Sequence, residues 1–274
     1  MSYRISVNHA HVFPASVNPK GTIDRLLQMM DACGIEETIC FAPFTYQMAG
    51  KGTVDQNKWL ADELKTRKNL HGFGTIDPAR DDLREQVREA HDLGLKGLKL
   101  HPNAQSFDIL SPRIFEVYSA AQELGMFITF HTGVHQSRLS ETRVLKFDEV
   151  AWGFPDLKFS MEHVGGYHFF EEALAVIFNH VPPPWESGKC NVFAGLASVF
   201  THDHNRFWHL SNERISELAA QVGVQQLIFG LDFPYNLEAE TNIGLKTIRD
   251  LFNEQDQALI LGGNLRRELG LPDL

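Results

Sequence analysis

The stretch Arg80–His101, RDDLREQVREAHDLGLKGLKLH, decides the fold. Residues 80–93 put Leu83, Val87, Ala90 and Leu93 on one side of a helix and charge elsewhere, as a surface helix with one buried stripe should. Gly94 stops that helix, and GLKGLKL follows at once as a strand near 95–100. The same alternation recurs along the chain. Strand-like runs lie near 3–8, 37–42, 70–75, 95–100, 126–131, 157–163, 190–196 and 226–231. Helical patterns separate them near 22–33, 55–68, 80–93, 112–124, 143–152, 168–179, 211–222 and 242–253, with a last short helix at 255–269. Eight such alternations predict parallel βαβ units. An open doubly wound sheet produces a similar string, but no Gly-rich phosphate loop follows the first strand, which weakens its nucleotide-binding form. VPPPWESG (181–188) is too short to be a domain boundary. The preferred reading is an α/β fold, a single (β/α)8 TIM barrel over residues 1–274, a length such barrels commonly reach as one domain.

Composition narrows the function. A hydrophobic content of 43% supports a sizeable core. The net charge of −10 argues against a broad nucleic-acid or anionic-membrane surface. Cys33, Cys40 and Cys190 have no ligand-like spacing and read as reduced, mostly buried thiols. No basic-then-apolar leader opens the chain, and no apolar run approaches the ~20 residues of a membrane span. A cytoplasmic protein acting on a small molecule, with neither nucleic acid nor membrane as partner, is the expectation.

A barrel places its chemistry at the C-terminal ends of its strands. Polar side chains should therefore gather there, and they do. Strand one runs into VNHAHVFP (7–14), where Ile5, Val7, His9 and His11 share one parity, so a single strand could point all four inward. Two neutral imidazoles converging from one strand suit a cation. Strand four ends in Lys99-Leu100-His101, strand five in His131, strand six in Glu162-His163, and strand eight delivers Asp232 before Pro234. Taken singly, a strand-end histidine satisfies a nearby backbone group and a strand-end Asp caps a turn. Their coincidence at one face favours a shared site.

At these residues the chain resembles the amidohydrolase superfamily, in the amidohydrolase-related branch that includes aminocarboxymuconate-semialdehyde decarboxylase, resorcylate decarboxylases and pyrone-dicarboxylate lactonase. The likeness rests on NHAHVFP, GLKGLKLHPNAQSF (94–107), FITFHTG (127–133), FPDLKFSMEHVGG (154–166), LIFGLDFP (227–234) and LILGGNLRREL (259–269), in order through nearly the whole chain. It implies a metal-dependent hydrolase of barrel type with one divalent ion, usually zinc. His9, His11 and His131 would be ligands, with Asp232 either the fourth ligand or the base for the attacking water. His163 would be an acid–base residue or a further ligand. The branch leaves room for a homodimer, although no sequence feature fixes one.

Departures from the pattern sharpen the expectations. Asn8 stands where the family usually has an acid, which removes a carboxylate able to orient a ligand histidine. Lys99 occupies the position of a metal-bridging lysine elsewhere in the superfamily; here it reads either as a positive group for a substrate carboxylate or as a solvated strand-end lysine. His101 shares its face and is a second candidate substrate contact. Glu162, of opposite parity to His163, is expected to face the helix layer and pair there. Arg138, in GVHQSRLS, either clamps a carboxylate or is an exposed loop arginine. The loop FTHDHNRFWH (200–209) offers a lid, a substrate wall, an extra ligand through His202 or His204, or a polar helix cap. FAPFTYQMAG (41–50) offers apolar wall.

The same strand ends serve two chemistries. One is hydrolysis of a C–N or C–O acyl bond in a small carboxylated substrate through activated water. The other is non-oxidative decarboxylation of a small acid. A nuclease of the TatD type is a more distant rival, since that family prefers a carboxylate where Lys99 stands. A non-catalytic binding protein on the same scaffold is the last.

Overall fold

In the computed structural model, which describes residues 3–50 and 55–271, the deciding stretch forms a helix over Leu83–Asp92 and a strand over Gly97–Leu100. Gly94, at φ 84°, makes the left-handed turn between them that other residues resist. The strands are β1 (Ser6–His11), β2 (Glu37–Phe41), β3 (Leu70–Gly74), β4 (Gly97–Leu100), β5 (Phe127–His131), β6 (Phe159–Glu162), β7 (Val192–Gly195), β8 (Leu227–Ile228) and β9 (Gly230–Phe233). Every adjacent pair is parallel, and β8 lies on β7 while β9 lies on β1. β8 and β9 are thus two halves of one eighth barrel strand. They part at Phe229, whose N–H donates to Ile260 O instead of a strand neighbour. The ring closes as a (β/α)8 TIM barrel.

Two apolar cores result. One lies between strands and helices, where Val7, Leu26, Val87, Leu98, Phe130 and Met161 pack. The other fills the lumen with Ile39, Phe41, Phe73, Phe127, Phe193 and Ile228, and Leu265 joins it from the final helix. All three cysteines are buried and free. Among the described residues, no helix is long and apolar enough to cross a membrane.

Three expectations need correction. Ile5 and Val7 do not face inward with His9 and His11; they belong to the outer core. The cause is a β-bulge. Between Val7 and Ala10 the register on β2 advances only from Thr38 to Cys40, so β1 carries one extra residue. His9 absorbs it at φ 72°, and outward packing passes to Ala10 and Val12. Second, β6 ends at Glu162, one residue before His163, and Glu162 points into the lumen rather than the helix layer. Third, the last helix is not continuous over 255–269. It comprises Glu254–Ala258, a π turn over Leu259–Gly263, and Asn264–Leu269. At Gly262 a Cβ would come within 2.7 Å of Arg4 O, so the backbone there passes too close to the chain entering β1 for any other side chain.

Candidate active site

The bulge in β1 has a chemical result. It aims two consecutive side chains, Asn8 and His9, into the lumen, where Glu162 meets both. His9 donates from Nδ1 to Glu162 Oε2 at 2.9 Å, and Asn8 Nδ2 donates to Glu162 Oε1 at 3.0 Å. Ser160, two residues earlier on β6, donates to the same oxygen at 2.7 Å. Gly195 makes this possible from β7: a Cβ there would sit 2.3 Å from the Glu162 carboxylate. The carboxylate missing at position 8 is therefore supplied from β6. With its Nδ1 protonated towards Glu162, His9 presents its lone pair on Nε2, which Lys99 Nζ faces at 3.3 Å.

Three donors converge there. His9 Nε2 lies 3.3 Å and His11 Nε2 3.8 Å from Asp232 Oδ1. These atoms lie within 4.8 Å of one another, the arrangement a metal ion requires. Two neutral imidazoles and a carboxylate suit a divalent ion such as zinc, and they fit one here. Asp232 is fixed by Ser198, whose hydroxyl donates to Oδ2 at 2.6 Å, and Ser198 in turn accepts from Asn236 Nδ2 at 2.9 Å. His9, His163, Ser198 and Asp232 all have left-handed backbone, at φ 72°, 66°, 59° and 62°. Such strain clusters where a site over-determines its residues.

The electrostatics follow from burial. Desolvation, reinforced by the Lys99 charge, holds His9 well below the usual imidazole range and His11 down at about 3, so both stay neutral. Burial alone would raise the Asp232 carboxyl, yet its net shift is downward, the Ser198 hydroxyl donating to it, and the group stays ionised. Lys99, only 1% exposed, is not solvated. Its Nζ lies 3.3 Å from His9 Nε2 and 5.3 Å from the Phe41 ring centroid, and burial lowers it to about 8.

His163 sits just beyond β6, its ring centroid 5.3 Å from that of His9. It donates from Nδ1 to Ala197 O at 2.7 Å, which leaves an acceptor lone pair on Nε2. Trp208 stacks on it at 4.9 Å, so the 200–209 loop forms a wall through its tryptophan, while His204 binds Tyr235 O instead. Phe44 provides apolar wall beside His11 and His101. His131 lies 4.9 Å from His163 by ring centroid but groups as a donor with His101 and His135, not with His9, His11 and Asp232. His101 stacks on His131 at 3.9 Å. Arg138 lies exposed at the start of a short turn over Leu139–Glu141. Glu162, Ser198 and His135 are the residues that sequence reasoning gave no such part, whereas Trp208 lies in the 200–209 loop, for which a substrate wall was one reading. Only Glu162 had a usable signal, its shared parity with Ser160.

The amidohydrolase family profile matches residues 9–271. Dihydroorotase of Helicobacter pylori (strain HPAG1) is 28% identical over 142 residues, 47% of this chain and 41% of that enzyme, so the match spans less than half of the curated relative. A putative 2-pyrone-4,6-dicarboxylic acid hydrolase from Pseudomonas putida superposes with a TM-score of 0.72 at 19% identity, covering 100% of both chains. A dihydroxybenzoic acid decarboxylase from Polaromonas sp. JS666, solved with bound manganese and 2-nitroresorcinol, gives 0.70 at 15% identity, over 100% of this chain and 98% of that one. At these identities the structural likeness shows the shared barrel.

Proposed function

Because the chain belongs to the amidohydrolase family, we propose that it is a metal-dependent hydrolase cleaving a C–N or C–O acyl bond of a small carboxylated amide, cyclic amide or lactone. The observation that carries this reading is the convergence of His9 Nε2, His11 Nε2 and Asp232 Oδ1 on one point. These three residues would hold a divalent ion, for which we propose zinc. When bound, a divalent ion supplies Lewis acidity, polarising an acyl oxygen and bringing water towards a pKa of about 7.

The protein's own groups do the rest. Asp232, ionised and held through Oδ2 by Ser198, takes the proton of the water that attacks the acyl carbon. His163, neutral, offers Nε2 as the acceptor to which Asp232 passes that proton, and then delivers it to the departing nitrogen or oxygen. Its fixed Nδ1–H means that it must gain a proton at Nε2 before it can donate one there. Lys99, whose Nζ lies 3.3 Å from His9 Nε2, would pair as an ammonium with the substrate carboxylate. Arg138, on the exposed loop after β5, is a second contact for that anion. The acidic chain fits a small-molecule substrate better than a nucleic acid.

The test is a panel of small carboxylated lactones, cyclic amides and aromatic acids, with ring opening and carbon dioxide release followed on protein purified without chelator. Acyl cleavage that disappears in Asp232→Asn supports the proposal. Carbon dioxide release without acyl cleavage replaces it by decarboxylation on the same residues, and turnover in neither class removes both.

A further inference from the structure

Behind Asp232 a line of buried polar side chains, Ser198, Asn236 and Asn205, runs out to the 200–209 loop. Its direction follows from one backbone group. Leu231 O accepts from Asn236 Nδ2 at 2.8 Å, and a carbonyl can only accept, so the amide nitrogen of Asn236 must face that way. The second proton of that nitrogen goes to Ser198 Oγ at 2.9 Å. Ser198 has one proton of its own. With its oxygen accepting from Asn236, that proton is left for Asp232 Oδ2 at 2.6 Å. On the far side Asn236 Oδ1 accepts from Asn205 Nδ2 at 2.9 Å, and the same amide donates to Thr201 Oγ1 at 2.8 Å. Asn205 is buried between exposed His204 and Arg206, and its carbonyl accepts from the N–H groups of Trp208 and His209, so the loop is folded around it.

Given Asp232 as metal ligand and proton acceptor, we infer that Asn236 is a positioning residue. Fastened by Asn205, it compels the Ser198 hydroxyl to donate to Asp232 Oδ2 and so keeps Oδ1 as the oxygen turned to His9 and His11. A serine hydroxyl left to itself rotates among acceptors, and a carboxylate held at neither oxygen rotates with it. Here Oδ2 is committed to Ser198, while Oδ1 lies 3.3 Å and 3.8 Å from the two Nε2 atoms. Ser198 and Asp232 both have left-handed backbone, at φ 59° and 62°. Asn236 ties these two strained positions together, through the Ser198 side chain after β7 and through Leu231 O, one residue before Asp232 on β9. The 200–209 loop therefore reaches both groups that handle the proton. It acts on Asp232 through Asn205 and Asn236, and on His163 through Trp208, which stacks on that ring at 4.9 Å.

Zinc affinity tests this without any substrate. Full-length protein competes for zinc with a chromogenic chelator, as native chain, Ser198→Ala, Asn236→Ala, Asn236→Leu, the double variant Ser198→Ala with Asn236→Ala, and Asp232→Asn. Metal-free melts check that each folds. Asn236→Leu removes the donors but fills the space, so it carries the test if Asn236→Ala does not fold. Each single change at 198 or 236 should weaken zinc binding about three- to tenfold, the worth of one net hydrogen bond. The double variant should bind no more weakly than Ser198→Ala alone, because both changes act through one hydroxyl. Asn236 variants within twofold of native, effects that multiply in the double variant, or a loss in Asn236→Ala that Asn236→Leu restores would overturn the inference. If Asp232→Asn still loses zinc in that case, the reading of Asp232 as a ligand stands. Native affinity in Asp232→Asn removes that reading and the role of Asn236 with it.

Discussion

Replacing Glu162 by Gln should weaken metal binding by about 10- to 100-fold, or about 1.4–2.7 kcal/mol, the usual cost of losing a carboxylate behind a ligand histidine. The substitution preserves shape in a site that has no slack, since Glu162 is 0% exposed and fills the space left by Gly195. It removes charge and one acceptor. In the native protein both carboxylate oxygens accept, one from His9 Nδ1 and the other from Asn8 and Ser160. An amide can keep only one of these acceptors. If its nitrogen faces His9, the ring must shift its proton to Nε2, and the lone pair that serves the ion is lost. If its oxygen faces His9, the amide nitrogen meets Asn8, which must rotate to present Oδ1. That oxygen is buried without a partner in the native structure, so the rotation is available. The second arrangement keeps the tautomer; it loses the charge, the acceptor for Ser160 and the Asn8 bond to Thr129, but leaves the His9 lone pair in place, which sets the expected loss nearer tenfold than a hundredfold.

The assay is competition for zinc between protein and a chromogenic chelator at pH 7.5, for native and variant proteins, with a thermal melt of each in the metal-free state. Burial raises the Glu162 carboxyl and outweighs the opposing Lys99 charge, so the experiment also reports how much of the carboxylate's charge reaches His9. Affinities within twofold of each other would refute the reasoning, because they would mean that the group is already neutral or that it does not orient His9.

Gly195→Ala places a methyl 2.3 Å from the Glu162 carboxylate; a loss of about 1–3 kcal/mol in urea denaturation is expected, together with weaker zinc binding. Asp232→Asn should lower kcat by about 10²–10⁴-fold while leaving the fold intact, measured as turnover of whichever substrate the panel identifies. Metal-free protein should lose stability as pH falls below 6.5. His11 is held at about 3 in the folded chain but takes a proton near 6.5 when unfolded, so the unfolded state binds more protons between those values. Each such imidazole costs about 1.4 kcal/mol per pH unit in that window, and a denaturation midpoint constant from pH 7 to pH 5 would contradict it.

How much of this was legible in the sequence depends on which physical variable each feature obeys. The barrel was legible because hydrophobic period and turn residues repeat: the helix over Leu83–Asp92, Gly94 and the strand that follows are local facts about local residues. Strand ends were legible for the same reason, and His9, His11, His163 and Asp232 do stand at one mouth. What failed was phase. Parity assigns faces only while a strand stays regular, and a single left-handed dihedral at His9 moves every later side chain to the opposite face. That dihedral is set by tertiary pairing on both sides, with β2 and with β9, and not by residue type; histidine there gives no warning of it. The same reasoning explains Glu162. Its direction was inferred by treating His163 as part of the strand, whereas β6 ends one residue earlier and His163 turns away at φ 66°. An acid dismissed to the helix layer thus proves to be the group that fixes the tautomer of His9. In a barrel of this kind an acid whose parity matches a buried small polar neighbour, as Glu162 matches Ser160, is better assigned to the lumen than one judged from the histidine beside it.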